Sequence, residues 1–196
     1  FSVFKAVFLE PLPLPEPDEL VFVWNQDTRN GGTGPASFPN FSDWREQNRS
    51  FEAMGAFGST NLNLTDGDEP IRIRGAHATA GVFDVLGVQP ALGRTFLPED
   101  DLSGNPVAVL SNQLWMERYG GDPEILEKTI QINGDPHAVI GIMPEGFLFP
   151  TPWGLTRPYL AWIPLRDDPR VRVRDANSYQ VVARLREGVT VEMAQE

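Results

Sequence analysis

The chain has 196 residues, 41% hydrophobic and 22% charged, which are ordinary globular proportions: long enough for a sizeable core in one domain or two small ones, and unlike a disordered chain. Twenty-seven acidic against 16 basic residues leave a net charge of −11, a surface that repels phosphate backbones and anionic headgroups, so nucleic acid is excluded as a partner. There is no cysteine, which removes thiol catalysis, zinc–thiolate sites and disulfides together.

In chain order, the start FSVFKAVFLEPLPLPEP is apolar, then rich in proline. It is too short for a membrane span. It fits either the last turns of a membrane helix or an ordinary amphipathic segment. LVFVWN (20–25) is a compact apolar, β-branched run and reads as a buried strand; QDTRNGGTGPAS (26–37) is a loop by its Gly, Asn and Pro content. Phe38, Phe41, Trp44 and Phe51 fall at near-helical spacing, with Asn40 or Ser42 as the helix cap. Residues 55–65 and 69–79 alternate as strands about a DGDE turn, and AGVFDVLG (80–87) is a short helix closed by Gly87. PVAVLS (106–111) is a strand, and Ser111 then caps a helix stopped by Gly120-Gly121. Asp122-Pro123 opens another helical turn in the favoured cap-then-proline order.

The next stretch, TIQINGDPHAVIGIMP (129–144), is the clearest local signal in the chain. Two β-branched runs flank Asn133-Gly134, a pair that tolerates the positive φ of a tight hairpin turn. LAWIPL (160–165) and SYQVVARL (178–185) are further strands, and VTVEMAQE opens a helix at Thr190, so the chain stops inside a starting helix, as a truncated one would. A strand–helix–strand layout near the start, and a second strand-then-helix about a hundred residues later, suits an α+β fold split by an insertion.

The search for chemistry returns mostly negatives. GGTG (31–34) lacks the G-x-G-x-x-G spacing, and no phosphate loop or nucleophile elbow is present. With His77 and His137 as the only histidines, a serine triad has few bases to draw on, and both read as polar strand residues. Asp66, Asp68 and Glu69 have calcium-like D-x-D spacing without the rest of an EF-hand loop; Glu99, Asp100 and Asp101 follow Pro98, where acidic residues open a helix turn or sit in solvent, and each cluster is a minor candidate for a metal. Arg170, Arg172 and Arg174 alternate along one short run, a minor candidate for binding an anion and more simply a solvated strand face. Asn40, Asn48 and Asn63 begin N-x-[ST] sequons, two of them on the predicted helix. Trp153, Tyr159 and Trp162 could line a groove or cover a core. No catalytic, cofactor-binding or metal-binding residue is assigned, and a binding or mechanical role is favoured over an enzyme.

VAVLSNQLWMERYGGDPEILEKTIQINGDPHAVIGIMPEGFLFP (107–150) resembles the extracytoplasmic core domain of MacB-type ABC transporter permeases, closest to the orphan permeases that carry no ATPase domain. LEPLPLPEPDELVFVWN (9–25), NFSDWREQNRSFEAMGAF (40–57), ALGRTFLPEDD (91–101) and VVARLREGVTVEMAQE (181–196) are similar to the same family, so the resemblance covers nearly the whole chain in order. Glu127 stands where the family often has glycine. The resemblance implies two subdomains: a Porter-like strand–helix–strand subdomain over 1–77 and 171–196, truncated at its C-terminal part, and an inserted mixed α/β Sabre-like subdomain over 78–170. It implies a non-catalytic domain on the periplasmic side of the bacterial inner membrane, coupling ATPase-driven motion of the membrane helices to a partner or substrate outside. The implied partners are a second permease copy held through the transmembrane helices and a separate cytoplasmic ATPase subunit. A periplasmic adaptor protein is the third partner it brings into consideration. The alternative is a module binding a lipid, peptide or lipoprotein between its subdomains.

Overall fold

The structure, a computed structural model, describes residues 2–5, 14–26, 32–67, 69–101, 106–149, 158–165 and 169–195. The fold is α+β, and the chain divides into two compact units. The first comprises 1–58, 81–88 and 168–196, and the second 59–80 and 89–167.

In the first unit the strand order is β1 (Ser2–Lys5), β2 (Leu20–Gln26), β11 (Gln180–Leu185) and the opening half of β4 (Phe51–Leu64), with β3 (Thr33–Gly34) beside the end of β2. β11 runs antiparallel to both β2 and β4, so β2 and β4 are parallel to each other with β11 inserted between them. Helix α1 (Phe38–Gln47) makes the crossover, giving a split βαβ unit. Leu20 to Val23 are all buried, as a continuous apolar strand covered on both faces must be. Where an exit from a membrane helix was one reading of the start, Ser2–Lys5 is instead a strand antiparallel to β2.

Helix α1 begins three residues before the start that an Asn40 cap would set. The cap is Ser37, not Asn40 or Ser42: its hydroxyl accepts the Asn40 N–H, and Pro39 sits within the first turn. Proline needs no hydrogen-bond partner there, so Ser-Phe-Pro fixes the start. Phe51 shares no helix with Phe41; the helix ends at Gln47, and the Asn48 side chain accepts the Ser50 and Phe51 N–H groups to turn the chain into β4. The arginines at 170–174 do not form a strand either. Pro169–Arg172 is a 3-10 turn, as a proline without an N–H favours, and Arg174 donates to Asn40 and Asp43 of α1.

The second unit contains the end of β4, β5 (Ile71–Ala78), β10 (Ala161–Pro164), β7 (Val107–Leu110), β9 (Asp135–Ile142) and β8 (Thr129–Ile132). In that order each strand neighbours the next, and β8 returns to β4 through the Leu64–Ile132 pair, closing a ring of six strands. The short β6 (Leu92–Gly93) takes the part of β9 that β8 leaves uncovered. Residues two apart along the strands, including Leu62 and Leu64, Ile130 and Ile132, Ala108 and Leu110, and Ala161 and Ile163, form one buried cluster that fills the ring. Closure gives β8 a partner on each side, β9 along its length and β4 at Leu64, where an unclosed sheet would leave it as an edge. Asn133 and Gly134 turn the β8–β9 hairpin with φ of 55° and 89°, the type of turn their sequence predicts. Asn133 also makes the closure: its side-chain oxygen accepts the Asn63 N–H at 2.9 Å, and its own N–H donates to the Asn63 carbonyl. Helix α3 (Asn112–Tyr119) is capped by Ser111 and stopped at Gly120, φ 64°.

Candidate functional site

The side chains singled out for chemistry are held in structural ties. His77, buried in β5, donates to the Pro164 carbonyl, and buried His137 donates to the Asp135 carbonyl of its own strand. Asp100 is buried and takes the Arg94 guanidinium with both oxygens, at 2.6 and 3.4 Å, together with the Leu97 N–H. That carboxylate holds the Arg94 guanidinium above its already high ordinary value. Asp101 accepts the Ala80 N–H at the start of α2 (Ala80–Leu86). Of these two neighbours, expected to open a helix turn or sit in solvent, Asp100 is instead a buried ion-pair partner and Asp101 caps the start of α2.

Asp66 accepts the Tyr119 hydroxyl at 3.0 Å and lies 3.5 Å from Arg118, while the Glu69 carbonyl accepts from the same arginine. Burial first, then the Asp66 charge, push the Tyr119 phenol well above its ordinary value, so it stays a donor. The carboxylate of Asp66 fixes the β4–β5 turn to α3; Asp68 lies outside the described residues. Among the described residues no group of three His, Asp or Glu could hold a metal ion. Thr33 and Gly34 of the GGTG loop pair with β2 as β3, and Gly31 lies outside the described residues. Tyr159 and Trp162 are both buried against Phe149, Tyr159 edge-to-face and Trp162 at a tilt, which makes them core; Trp153 lies outside the described residues.

The most completely bonded polar group among these ties is Arg184, which none of the sequence patterns above isolates. It sits in the apolar strand β11, where VVARL interrupts an otherwise buried run with one charge, and it is only 7% exposed. That interruption is the signal available in the sequence. All five of its N–H donors are engaged. Nε and one terminal nitrogen reach the Val85 carbonyl in the last turn of α2, at 3.1 and 2.8 Å. The terminal nitrogens also reach the backbone carbonyls of Pro15 and Glu16 and the Glu19 carboxylate, at 3.0, 3.3 and 3.3 Å. A cation at a helix C-terminus meets the negative end of the helix dipole and satisfies a carbonyl with no helical partner. Removing one side of such a buried charge typically costs about 3–5 kcal/mol, because the remaining groups lose water and partner together.

The other end of α2 is also fixed within the first unit. A Cβ on Gly55 would overlap the backbone of Val82, and one on Gly81 would overlap the Met54 carbonyl. Backbone lies directly on backbone there, which only glycine permits. Among the described residues no helix is long and apolar enough to cross a membrane.

The sequence matches the family described as the MacB-like periplasmic core domain over residues 3–196. No curated protein matches it. Solved structures share its fold. The extracellular domain of the noncanonic ABC-type transporter YknZ from Gram-positive bacteria is 16% identical with a TM-score of 0.64, covering 88% of this chain and 86% of that one. The periplasmic region of MacB from Actinobacillus actinomycetemcomitans is 15% identical with a TM-score of 0.65, covering 90% and 78%. A domain of a permease protein from Porphyromonas gingivalis is 17% identical with a TM-score of 0.64, covering 90% and 79%.

Proposed function

Because the chain belongs to the MacB-like periplasmic core domain family, we propose that it is the extracytoplasmic domain of an ABC transporter permease and acts mechanically. Its place is the periplasmic side of the inner membrane, where it relays motion of the membrane helices, driven by a separate cytoplasmic ATPase, to a partner or substrate. Two permease copies work together through their membrane helices, and a periplasmic adaptor protein is one partner such a domain would engage. In this reading a Porter-like subdomain over 1–77 and 171–196 carries a Sabre-like insertion over 78–170, and neither is catalytic.

The observation that carries the reading is the closed, side-chain-filled ring of the second unit. A relay needs parts that move as bodies, and a ring of six strands closed on itself and filled from all six resists internal deformation. Of the three aromatic residues considered for a ligand groove, Tyr159 and Trp162 belong to the core, and Trp153 lies outside the described residues.

These 196 residues contain no cysteine, so once any thiols elsewhere in the permease and its ATPase are replaced, one introduced cysteine is a unique label site. A single spin label at Met116→Cys, on the exposed side of α3, reports the separation of two copies in the membrane-embedded permease with its ATPase. Distances that shift between nucleotide-free and ATP-bound states support the relay. An unchanged distribution during active hydrolysis would sink it.

A further inference from the structure

Three stretches far apart in sequence converge on one guanidinium. Arg184 lies 169 residues from Pro15 and 99 from Val85, yet bonds both. The segment it holds includes Glu16, a non-glycine residue with φ 46° and ψ 58°, whose carbonyl is one of the acceptors. A side chain in the left-handed region costs roughly 1–2 kcal/mol and persists only where its surroundings over-determine it. Arg184 supplies that constraint. The same group holds the last turn of α2, whose first turn is seated on β4 at Gly55 and Gly81. Helix α2 is itself a short excursion: the chain leaves the second unit at Ala80, contributes 81–88 to the first, and returns at Gln89.

We propose that Arg184 is a positioning residue that fastens the N-terminal segment around Pro15–Glu19 and helix α2 to β11, so that displacement of that segment is carried into the chain leading to the second unit. The geometry of the tie stands on the hydrogen bonds alone; its purpose rests on the relay reading. The guanidinium fork is required, because an ammonium has three donors on one atom and cannot bridge Val85 on one side and Pro15 and Glu16 on the other.

Hydrogen exchange on Arg184→Met and Arg184→Lys tests the tie. The Glu19 N–H, which donates to Glu16, and the Gly87 N–H, which donates to Phe83 and Asp84, are local reporters. The Asn133 and Val139 N–H groups report the second unit. Arg184→Met should speed exchange at Glu19 and Gly87 at least tenfold and leave Asn133 and Val139 unchanged; Arg184→Lys should loosen one or both local reporters by a smaller factor. Uniform acceleration at all four would make Arg184 an ordinary core residue, and no acceleration would make it dispensable; either result overturns the proposal. Where Arg184→Met does not fold, Arg184→Lys decides, and unchanged local reporters in it overturn the proposal. The second measurement places Arg184→Lys in the membrane-embedded permease with the label at residue 116. Continued ATP hydrolysis with the ATP-dependent distance shift reduced by half or more supports the proposal. A full shift overturns it while the relay stands, whereas a wild-type permease with no shift refutes the relay and leaves the exchange result untouched.

Discussion

Replacing Gly55 with alanine tests the seat of α2 by one methyl group. In an ordinary strand the change stabilises by roughly 0.5–1 kcal/mol, since alanine has less backbone freedom to lose on folding. At Gly55 the sign reverses. The new Cβ would stand 2.5 Å from Val82 Cα and 2.7 Å from Gly81 C, against the roughly 3.5–4.0 Å at which two carbons rest comfortably. Both obstacles are backbone, so no rotamer change relieves them, and α2 must retreat by about 1 Å. Overpacking of this kind costs about 1–3 kcal/mol, and a backbone obstacle puts Gly55 at the upper end. Subtracting the gain from alanine leaves a net loss of about 2 kcal/mol. In a chain of this length that lowers Tm by roughly 4–8 °C. Thermal unfolding followed by circular dichroism reads it directly. Gly34→Ala is the control: nothing lies within 4 Å of its new Cβ, so it should show the ordinary gain of roughly 0.5–1 kcal/mol. If Gly55→Ala unfolds at or above the wild-type temperature, α2 does not rest on β4 as described.

Other substitutions probe the hairpin end of the second unit. Asn133→Ala loses both its tolerance of positive φ and the acceptor for the Asn63 N–H, a combined cost of about 2–3 kcal/mol. Asn133→Gly keeps the turn and should cost only about 1 kcal/mol; equal losses in denaturant titrations would show that the backbone conformation contributes nothing. Glu127 has φ 65°, so Glu127→Gly should raise stability by up to about 1 kcal/mol, and a fall in Tm would contradict this. The Glu124 N–H and then the Lys128 ammonium hold the Asp122 carboxyl below the usual carboxylate range. A depressed folded value means stability that is present above the unfolded pKa of about 3.9 and lost as pH falls through the lower folded value. Asp122→Asn should therefore be less stable than wild type at pH 7, with the gap closing below about pH 4. A gap that persists in acid would refute the ionic contribution.

The elements most legible in the sequence are those whose cause is local. Ser111 capping α3, Gly87 and Gly120 ending helices, and Asn133-Gly134 turning a hairpin all act within four residues of the structure they produce. The family resemblance was legible on the same stretches, and the match over residues 3–196 bears it out. Local signals also misled where two competed. Ser37, Asn40 and Ser42 are all cap-type residues, and Pro39 in the first turn decides for Ser37; the period-two arginines compete in the same way with the 3-10 turn that Pro169 opens.

What the sequence hid shares one physical property: its partners are distant. Asn63 and Asn133 are 70 residues apart, and nothing in either segment says that the hairpin's second task is to close a ring. Arg184 looks like a polar interruption in a strand until Val85, Pro15 and Glu16 are brought around it. The acidic clusters mislead for the converse reason. Neighbours in sequence such as Asp100 and Asp101 suggest a shared site, yet one turns to Arg94 and the other to the start of α2. Burying charge without a partner is so costly that long-range pairing, not adjacency, decides where each carboxylate goes. For a domain read as a relay, those distant pairings are also where function would reside, since a tie between remote segments is what lets one of them move the other.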